Sequence, residues 1–453
     1  MKRNKLLSMA LSAALTVSLL VVPAGAASVI ESIPCRYDGA GDFSEGYAWV
    51  KMGQKYTFIT KKGDELTAFR YDQVSPFNNG TAMVWRGGKG GFLSTTGREV
   101  VPCMFDEVGD FSDGLALAKL DGKYGFINKS GQNIVSFKFD RAESFSDGLA
   151  AVCIGTGENE KWGFINTLGA TAIPTQFDRA YSFSGGLAAV SLNGKWGYIG
   201  KTGQFVVPCV YDDAAPFFSE GFAPVCRDGK WNFVGTSGKE LLSETLYDAA
   251  GNFSDGLVRV RRSGKWGFLN QTGGEAVPCQ YDDVSDFQNG YAPVMRNGRW
   301  NLVSKAGKEL LSNLSCDQVG NFSEGLVQVM LNGKCTFVNQ AGKTIAPYQY
   351  DFFGEASSFA DGLAKVQRNG KYGFISVGGA EIVPCRYDTA SAFSDSLVSV
   401  SIGGKYGLVD HLGKPVTPLE YDSIGDFSEG RASFSRGGKY GYLYKIGSKY
   451  TTN

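Results

Sequence analysis

Apolar and polar positions along this chain fall in short runs, and the runs recur. From residue 177 to 208 a polar and aromatic stretch ends in Phe183-Ser184-Gly185-Gly186. An apolar run over 187–192 follows, then Asn193-Gly194, a second run over 195–200, a turn at Gly203 and a third run over 204–208. Runs of about five residues have the usual length of strands, and none shows the 3.6-residue period of an amphipathic helix. Asn-Gly between the first two is a strong hairpin signal, because both residues tolerate the positive φ of a type I′ turn. The same joint returns as Asp121-Gly122, Asp228-Gly229, Ser263-Gly264, Asn297-Gly298, Asn332-Gly333 and Asn369-Gly370, and the second joint is again centred on glycine, as at Gly131 and Gly413. The pattern predicts an all-β chain built from three-stranded meanders.

The meander repeats twelve times. An aspartate, preceded by Tyr or Phe except at Cys316, marks each copy: Asp38, Asp72, Asp106, Asp140, Asp178, Asp212, Asp248, Asp282, Asp317, Asp351, Asp388 and Asp422, spaced 34 to 38 residues apart. A fixed period of this size marks a repeat architecture, and so small a unit must stack on its neighbours to bury an apolar face. Propeller blades usually exceed 40 residues, in rings of four to eight. No linker interrupts the period at its midpoint. The expected arrangement is therefore a continuous, open superhelical array, with one or two β-propellers as the alternative. The longer gaps read as loop insertions at 155–160 and around 350–357.

A residue that returns in every copy is expected to build the copy. The twelve aspartates are expected to close Asx-turns onto backbone N–H groups two or three residues on. A second acid follows in the phrase Phe-Ser-[Asp/Glu]-Gly, at Glu45, Asp113, Asp147, Glu220, Asp255, Glu324, Asp361, Asp395 and Glu429, but Asn79, Gly185 and Asn289 replace it elsewhere. Two acids per repeat are few for calcium, which takes six to eight oxygens. A structural role is expected and no metal. The glycine of that phrase, absent only at Ser396, suits a positive φ, and its Phe suits a core anchor between repeats. Gly90 stands in repeat 2 where other repeats carry Trp or Tyr, and the unusual Trp85 is expected to fill the vacancy.

The phrase Gly-Lys-Trp-Gly-Phe-Leu-Asn at 264–270, with the flanking Val-Pro-x-x-Tyr-Asp and Phe-Ser-Asp-Gly-Leu phrases, resembles the WG-repeat (KWG-repeat) family over essentially the whole chain after residue 26. The resemblance implies an exported bacterial protein with no defined catalytic residues. Thr57, Asn232, Asn301 and Thr336 depart from the family glycine, and the hairpins that carry them are expected to be altered.

Lys2, Arg3 and Lys5, a small apolar stretch to Val22 and the small residues Ala24-Gly25-Ala26 read as a cleaved signal peptide over 1–26. The twelve-repeat β domain is then 27–453, and the protein is expected to be secreted, extracellular or associated with the cell surface. No later stretch is long and apolar enough to suggest a membrane contact once the leader is removed. With 45 basic and 45 acidic residues there is no basic block for phosphate backbones, which excludes nucleic acid as an expected partner.

Nine cysteines are present, five of them in the phrase [Val/Ile]-Pro-Cys of non-adjacent repeats (Cys35, Cys103, Cys209, Cys279 and Cys385). These read as small apolar residues. Cys316 and Cys335 replace both marker aromatics of repeat 9. If those aromatics pack together elsewhere, a Cys316–Cys335 disulfide would replace their contact; two independent substitutions are the other reading.

The functional expectation is a non-enzymatic binding or scaffold array for cell-wall glycan or a protein partner. A structural spacer or surface component is the alternative, and a glycoside-active enzyme a lesser one. No cofactor is expected. The single histidine, His411, falls in a turn, and no nucleophile elbow, phosphate loop or zinc spacing appears.

Overall fold

The computed structural model describes residues 28–216, 218–243, 247–311, 316–351 and 359–447. The signal peptide expected over 1–26 lies outside these residues. The described chain is all-β, in twelve antiparallel sheets of three or four strands. Sheet 5 is typical: Arg179–Ala180, Leu187–Leu192, Lys195–Gly200 and Phe205–Tyr211, hydrogen-bonded in that order. The last three are the expected runs. The two-residue first strand was not expected, being too short to show an alternation. It lets a unit of this length supply four strands. The fourth strand ends in the Tyr211 that precedes Asp212, so each four-stranded sheet is completed by the segment that opens the next repeat, a [Val/Ile]-Pro phrase in all but sheet 3, where it reads Val135-Ser136.

Cores lie between successive sheets. Phe164 and Ile173 of sheet 4 pack with Phe183, Val190 and Ile199 of sheet 5. The Phe of the Phe-Ser-x-Gly phrase anchors each interface as expected. In ten of the twelve interfaces its ring meets an aromatic on the third strand of the preceding sheet, at centroid distances from 4.7 Å for Phe126–Phe145 to 5.4 Å for Phe233–Phe253; before Phe322 and Phe427 that position is Leu302 and Leu408. The hairpin tips are left-handed as expected, with φ of 54° at Asn193 and 73° at Gly194.

The array is continuous, but its ends are joined. Ser28–Tyr37 pairs antiparallel with Lys439–Ile446 and becomes the fourth strand of sheet 12. Sheet 12 also contacts sheet 1 as every sheet contacts its successor. Ser428 Oγ donates to Phe43 O at 2.7 Å, as Ser44 Oγ does to Phe77 O at 2.8 Å. Tyr442 packs on Phe43 at 5.0 Å, as Phe58 does on Phe77 at 4.8 Å. The meander array is thus a closed ring rather than an open superhelix. It is one ring rather than two, since Ser219 Oγ of sheet 6 donates to Phe253 O of sheet 7 at 2.7 Å. The short first strand removes the size argument against closure.

The glycine after the marker aromatic is fixed by close approach. A Cβ on Gly267 would lie 2.5 Å from Val277 O on the fourth strand. Where Thr57, Asn232, Asn301 and Thr336 replace it, the hairpins survive, contrary to expectation, and the fourth strand is lost from sheets 1, 6, 8 and 9; sheet 11 also lacks it although it keeps Gly407. The larger side chains hold the displaced segment by hydrogen bonds instead. Thr57 Oγ1 donates to Thr67 O at 2.7 Å, and Asn232 Nδ2 donates to Leu242 O at 2.9 Å while its Oδ1 accepts from Leu242 N at 3.2 Å. Each buried polar group is therefore satisfied.

Candidate functional site

Two kinds of polar residue stand on this ring, those that return and those that do not. The twelve marker aspartates belong to the first kind, and their role differs from the expected Asx-turn. One carboxylate oxygen accepts from the Lys or Arg that begins the third strand of the preceding sheet; the other accepts a backbone N–H at the first hairpin tip of its own sheet. Asp178 takes Lys161 Nζ at 2.6 Å and Gly194 N at 3.2 Å, and Asp248 takes Lys230 Nζ at 2.6 Å and Ser263 N at 2.8 Å. The pairs number twelve and run unbroken around the ring, Lys439–Asp38 crossing the junction of the chain ends. The lysine first, then the backbone N–H, holds the Asp72 carboxyl below the usual aspartate range, and Asp106, Asp282 and Asp388 behave alike.

The second acids also link sheets. Glu45, Asp113 and Asp147 all hold φ of 50–56°, a conformation that costs a non-glycine residue about 1–2 kcal/mol. Their carboxylates reach forward to the next sheet: Asp113 accepts from Gly148 N and Asp147 from Gly186 N, each at 2.8 Å. Acid and glycine together form a left-handed turn, and Ser396 adopts a φ of 61° in the glycine's place. Apart from Asp361 and Asp395, the carboxylates of these second acids are engaged with the next sheet.

Cys316 and Cys335 are free, buried thiols on opposite faces of sheet 9. Cys316 packs with Leu302 and Leu311 toward sheet 8, and Cys335 with Phe337, Ala364 and Ile375 toward sheet 10. The disulfide reading fails because the marker aromatics of one repeat do not meet. Cys316 lies opposite Trp300 of the preceding sheet, and Cys335 opposite Tyr350 of the next repeat. Burial raises both thiols, Cys316 to about 11 and Cys335 to about 12. The five Val-Pro-Cys thiols are only half-buried; Cys103 and Cys209 point at carbonyls of the second strand, 3.6 Å from Val84 O and Val190 O. Trp85 lies directly opposite Gly90, and a Cβ there would come within 3.0 Å of the indole nitrogen, so it does fill the vacancy. His411 is exposed in its turn. Among the described residues no cluster of three or more His, Cys, Asp or Glu is placed to hold a metal.

The residues that do not return converge between sheets 4 and 5. The third residue after each marker aspartate is Gly, Ser or Ala in ten repeats; the exceptions are Glu143 and Tyr181, in adjacent repeats. The reason lies on the neighbouring second strand. Elsewhere a larger residue often occupies the facing space: a Cβ on Gly41 would fall 2.0 Å from Trp49, and one on Gly251 2.8 Å from Arg259. In sheets 4 and 5 the facing residues are Ala151 and Ala189, whose carbonyls accept from Glu143 N and Tyr181 N at 2.9 and 3.0 Å. These are the only alanines at that position. The residues these alanines leave room for stand in a groove of about 790 Å³ lined by Arg141, Glu143, Glu160, Trp162, Arg179 and Tyr181. Arginine follows the marker aspartate only in these two repeats.

One wall comes from the 155–160 insertion, a single 3-10 turn over Gly157–Asn159. It brings Glu160 to Arg141, Oε1 to Nη2 at 3.2 Å. Tyr181 stacks on Trp196 with centroids 5.4 Å apart and planes at 22°, yet remains 43% exposed. Sequence reading found the insertion but not Glu143 or Tyr181. Their signal was readable as the break in a small-residue position.

A closed ring of antiparallel sheets with one non-repeating groove places the protein among β-repeat rings. Its family is shown by sequence: the WG containing repeat matches twelve times, from 31–56 through 406–440, and the chain belongs to that family. No curated protein matches the chain. Among solved structures it is similar to a eukaryotic initiation factor, at 13% identity over 69% of this chain and 87% of that one, with a TM-score of 0.33. It is also similar to PorZ, a bacterial surface component of the type-IX secretion system of Porphyromonas gingivalis, at 9% identity over 90% and 71%, with a TM-score of 0.21. A third is the extracellular domain of a putative one-component system from B. thetaiotaomicron, at 10% identity over 92% and 81%, with a TM-score of 0.21. These scores are low, and the functional reading rests on the chain's own residues.

Proposed function

We propose that this protein is an exported, non-enzymatic binding protein that recognises cell-wall glycan or a protein partner through the groove between sheets 4 and 5. The observation that carries the reading is the convergence there of Arg141, Glu143, Arg179, Tyr181 and the 155–160 insertion, all of which break the repeat. The Glu143 and Arg179 side chains have neither hydrogen bond nor ion pair among the described residues, whereas the twelve marker aspartates and seven of the nine second acids, all but Asp361 and Asp395, are engaged. A concave site of this volume with a few convergent polar groups is typical of ligand pockets. Export is supported by the leader-like residues 1–26. Among the described residues no helix is long and apolar enough to cross a membrane.

A second reading, a glycoside-active enzyme, draws on two carboxylates, Glu143 and Glu160, in one groove. Such enzymes need one carboxyl kept protonated in an apolar setting. Glu143 is exposed, and Glu160 faces Arg141, so binding without hydrolysis is favoured. The test is retention of residues 27–453 on purified bacterial cell wall, with soluble glycans as competitors. Specific retention that a glycan or a wall protein competes away supports binding. Reducing ends released over time would support the enzyme, and no retention would leave the spacer role.

A further inference from the structure

We infer that the groove between sheets 4 and 5 takes an uncharged oligosaccharide of pyranose rings, with Tyr181 as its stacking platform. The inference rests on the binding reading above and names the ligand class of that site. Tyr181 is held flat by Trp196 and presents an exposed ring to the groove. A rigid tyrosine offers a large amphipathic surface with little conformational entropy to lose. The aliphatic C–H face of a pyranose matches such a surface, whereas an extended peptide would seek a free strand edge or apolar side-chain pockets.

Polar recognition comes from Arg179 and Glu143. A guanidinium offers several donors in one plane and a carboxylate only acceptors, so the two suit neighbouring hydroxyls, each of which donates and accepts. Across the groove the two arginines balance the two glutamates. A site with no net charge has no long-range pull on a polyanion or a polycation, which selects against charged polymers. Arg141 and Glu160 satisfy each other and shape the wall, leaving Arg179 and Glu143 for the ligand.

The experiment is titration of residues 27–453 with chitotetraose and cellotetraose, followed by tryptophan fluorescence and calorimetry. Trp162 and Trp196 are the reporters. The wild-type protein is expected to bind at least one of these neutral tetrasaccharides. Tyr181→Ala is expected to weaken binding at least tenfold and Tyr181→Phe to preserve it; Arg179→Ala is expected to weaken it at an unchanged thermal midpoint, which guards against a folding artefact. Retention on cell wall with unchanged binding by Tyr181→Ala would overturn the inference and leave the binding reading standing. Capture of a wall protein with no response to either sugar would do the same. Absence of any wall or protein binding would remove both.

Discussion

Two junctions of the ring carry clusters of residues that break the repeat, and they depart from it in opposite directions. Where sheet 12 meets sheet 1, the unusual residues fill space. Arg431 stands where many sheets carry leucine. It is only 2% exposed, with Phe43 and Tyr444 against its guanidinium at 5.5 and 4.8 Å and Lys61 O accepting from Nη2 at 3.0 Å. Glu429 pairs with Lys61 at 3.0 Å, and Arg436 reaches Glu31 at 2.7 Å. Where sheet 4 meets sheet 5, the unusual residues open space, because Ala151 and Ala189 leave room for exposed side chains. Residues that break a repeat therefore divide by burial and partnership. Those that are buried or paired across the chain ends serve closure. Those that are exposed and unpaired are the ones we propose to serve recognition.

The harshest way to break this comparison is to remove the closing strand. Deleting residues 28–37 takes the buried Ile33 and Tyr37 out of the core they share with Phe43 and Tyr442. Loss of large core side chains costs about 2–5 kcal/mol each. The expected result is a loss of at least about 5 kcal/mol in chemical unfolding and a larger radius in solution scattering. An unchanged radius and stability would show that the ring does not depend on this strand.

Arg431→Leu sharpens the same comparison with a smaller effect. Nε and Nη1 of Arg431 are buried without partners, and replacing a buried ion by an apolar residue is often neutral or stabilising by about 1–4 kcal/mol. The expected outcome is an unchanged or modestly raised unfolding midpoint. A loss above about 3 kcal/mol would mean that the charge itself holds the ends together.

Acid titration gives the gentlest perturbation. Eleven marker aspartates, Asp72 and Asp178 among them, have folded pKa values depressed below the ordinary 3.8. A depressed carboxyl contributes stability that is fully present above the unfolded value and is lost as pH falls through the folded one. The ring should hold its stability down to the ordinary carboxylate range and lose it progressively below. Lys161→Met, which removes the ammonium paired with Asp178, should move the acid transition upward by a small fraction of a pH unit. Pairs this exposed have little individual weight; a large shift would show that they hold the sheets together.

Much of the fold was legible because its signals are local. Hairpin tips such as Asn193-Gly194, the left-handed glycines and the Phe anchors each announce themselves within a few residues. The aspartate role was not legible, since its partners lie 15 to 18 residues away and meet it only across strands and sheets. Closure is a property of the whole ring, visible only in the pairing of Ser28–Tyr37 with Lys439–Ile446, whose strands lie about four hundred residues apart in the chain. The groove was half legible: the 38-residue gap exposed the insertion, but Glu143 and Tyr181 become conspicuous only beside Ala151 and Ala189.

The measurement that bears most directly on the central claim restores the repeat pattern in sheet 5. The double substitution Tyr181→Gly with Ala189→Leu reproduces the Gly109 and Leu117 arrangement of sheet 3, and its binding to the neutral tetrasaccharides and to cell wall is compared with that of the wild-type protein at matched thermal midpoints. The account predicts an intact ring that no longer binds. Undiminished binding by this variant would contradict it.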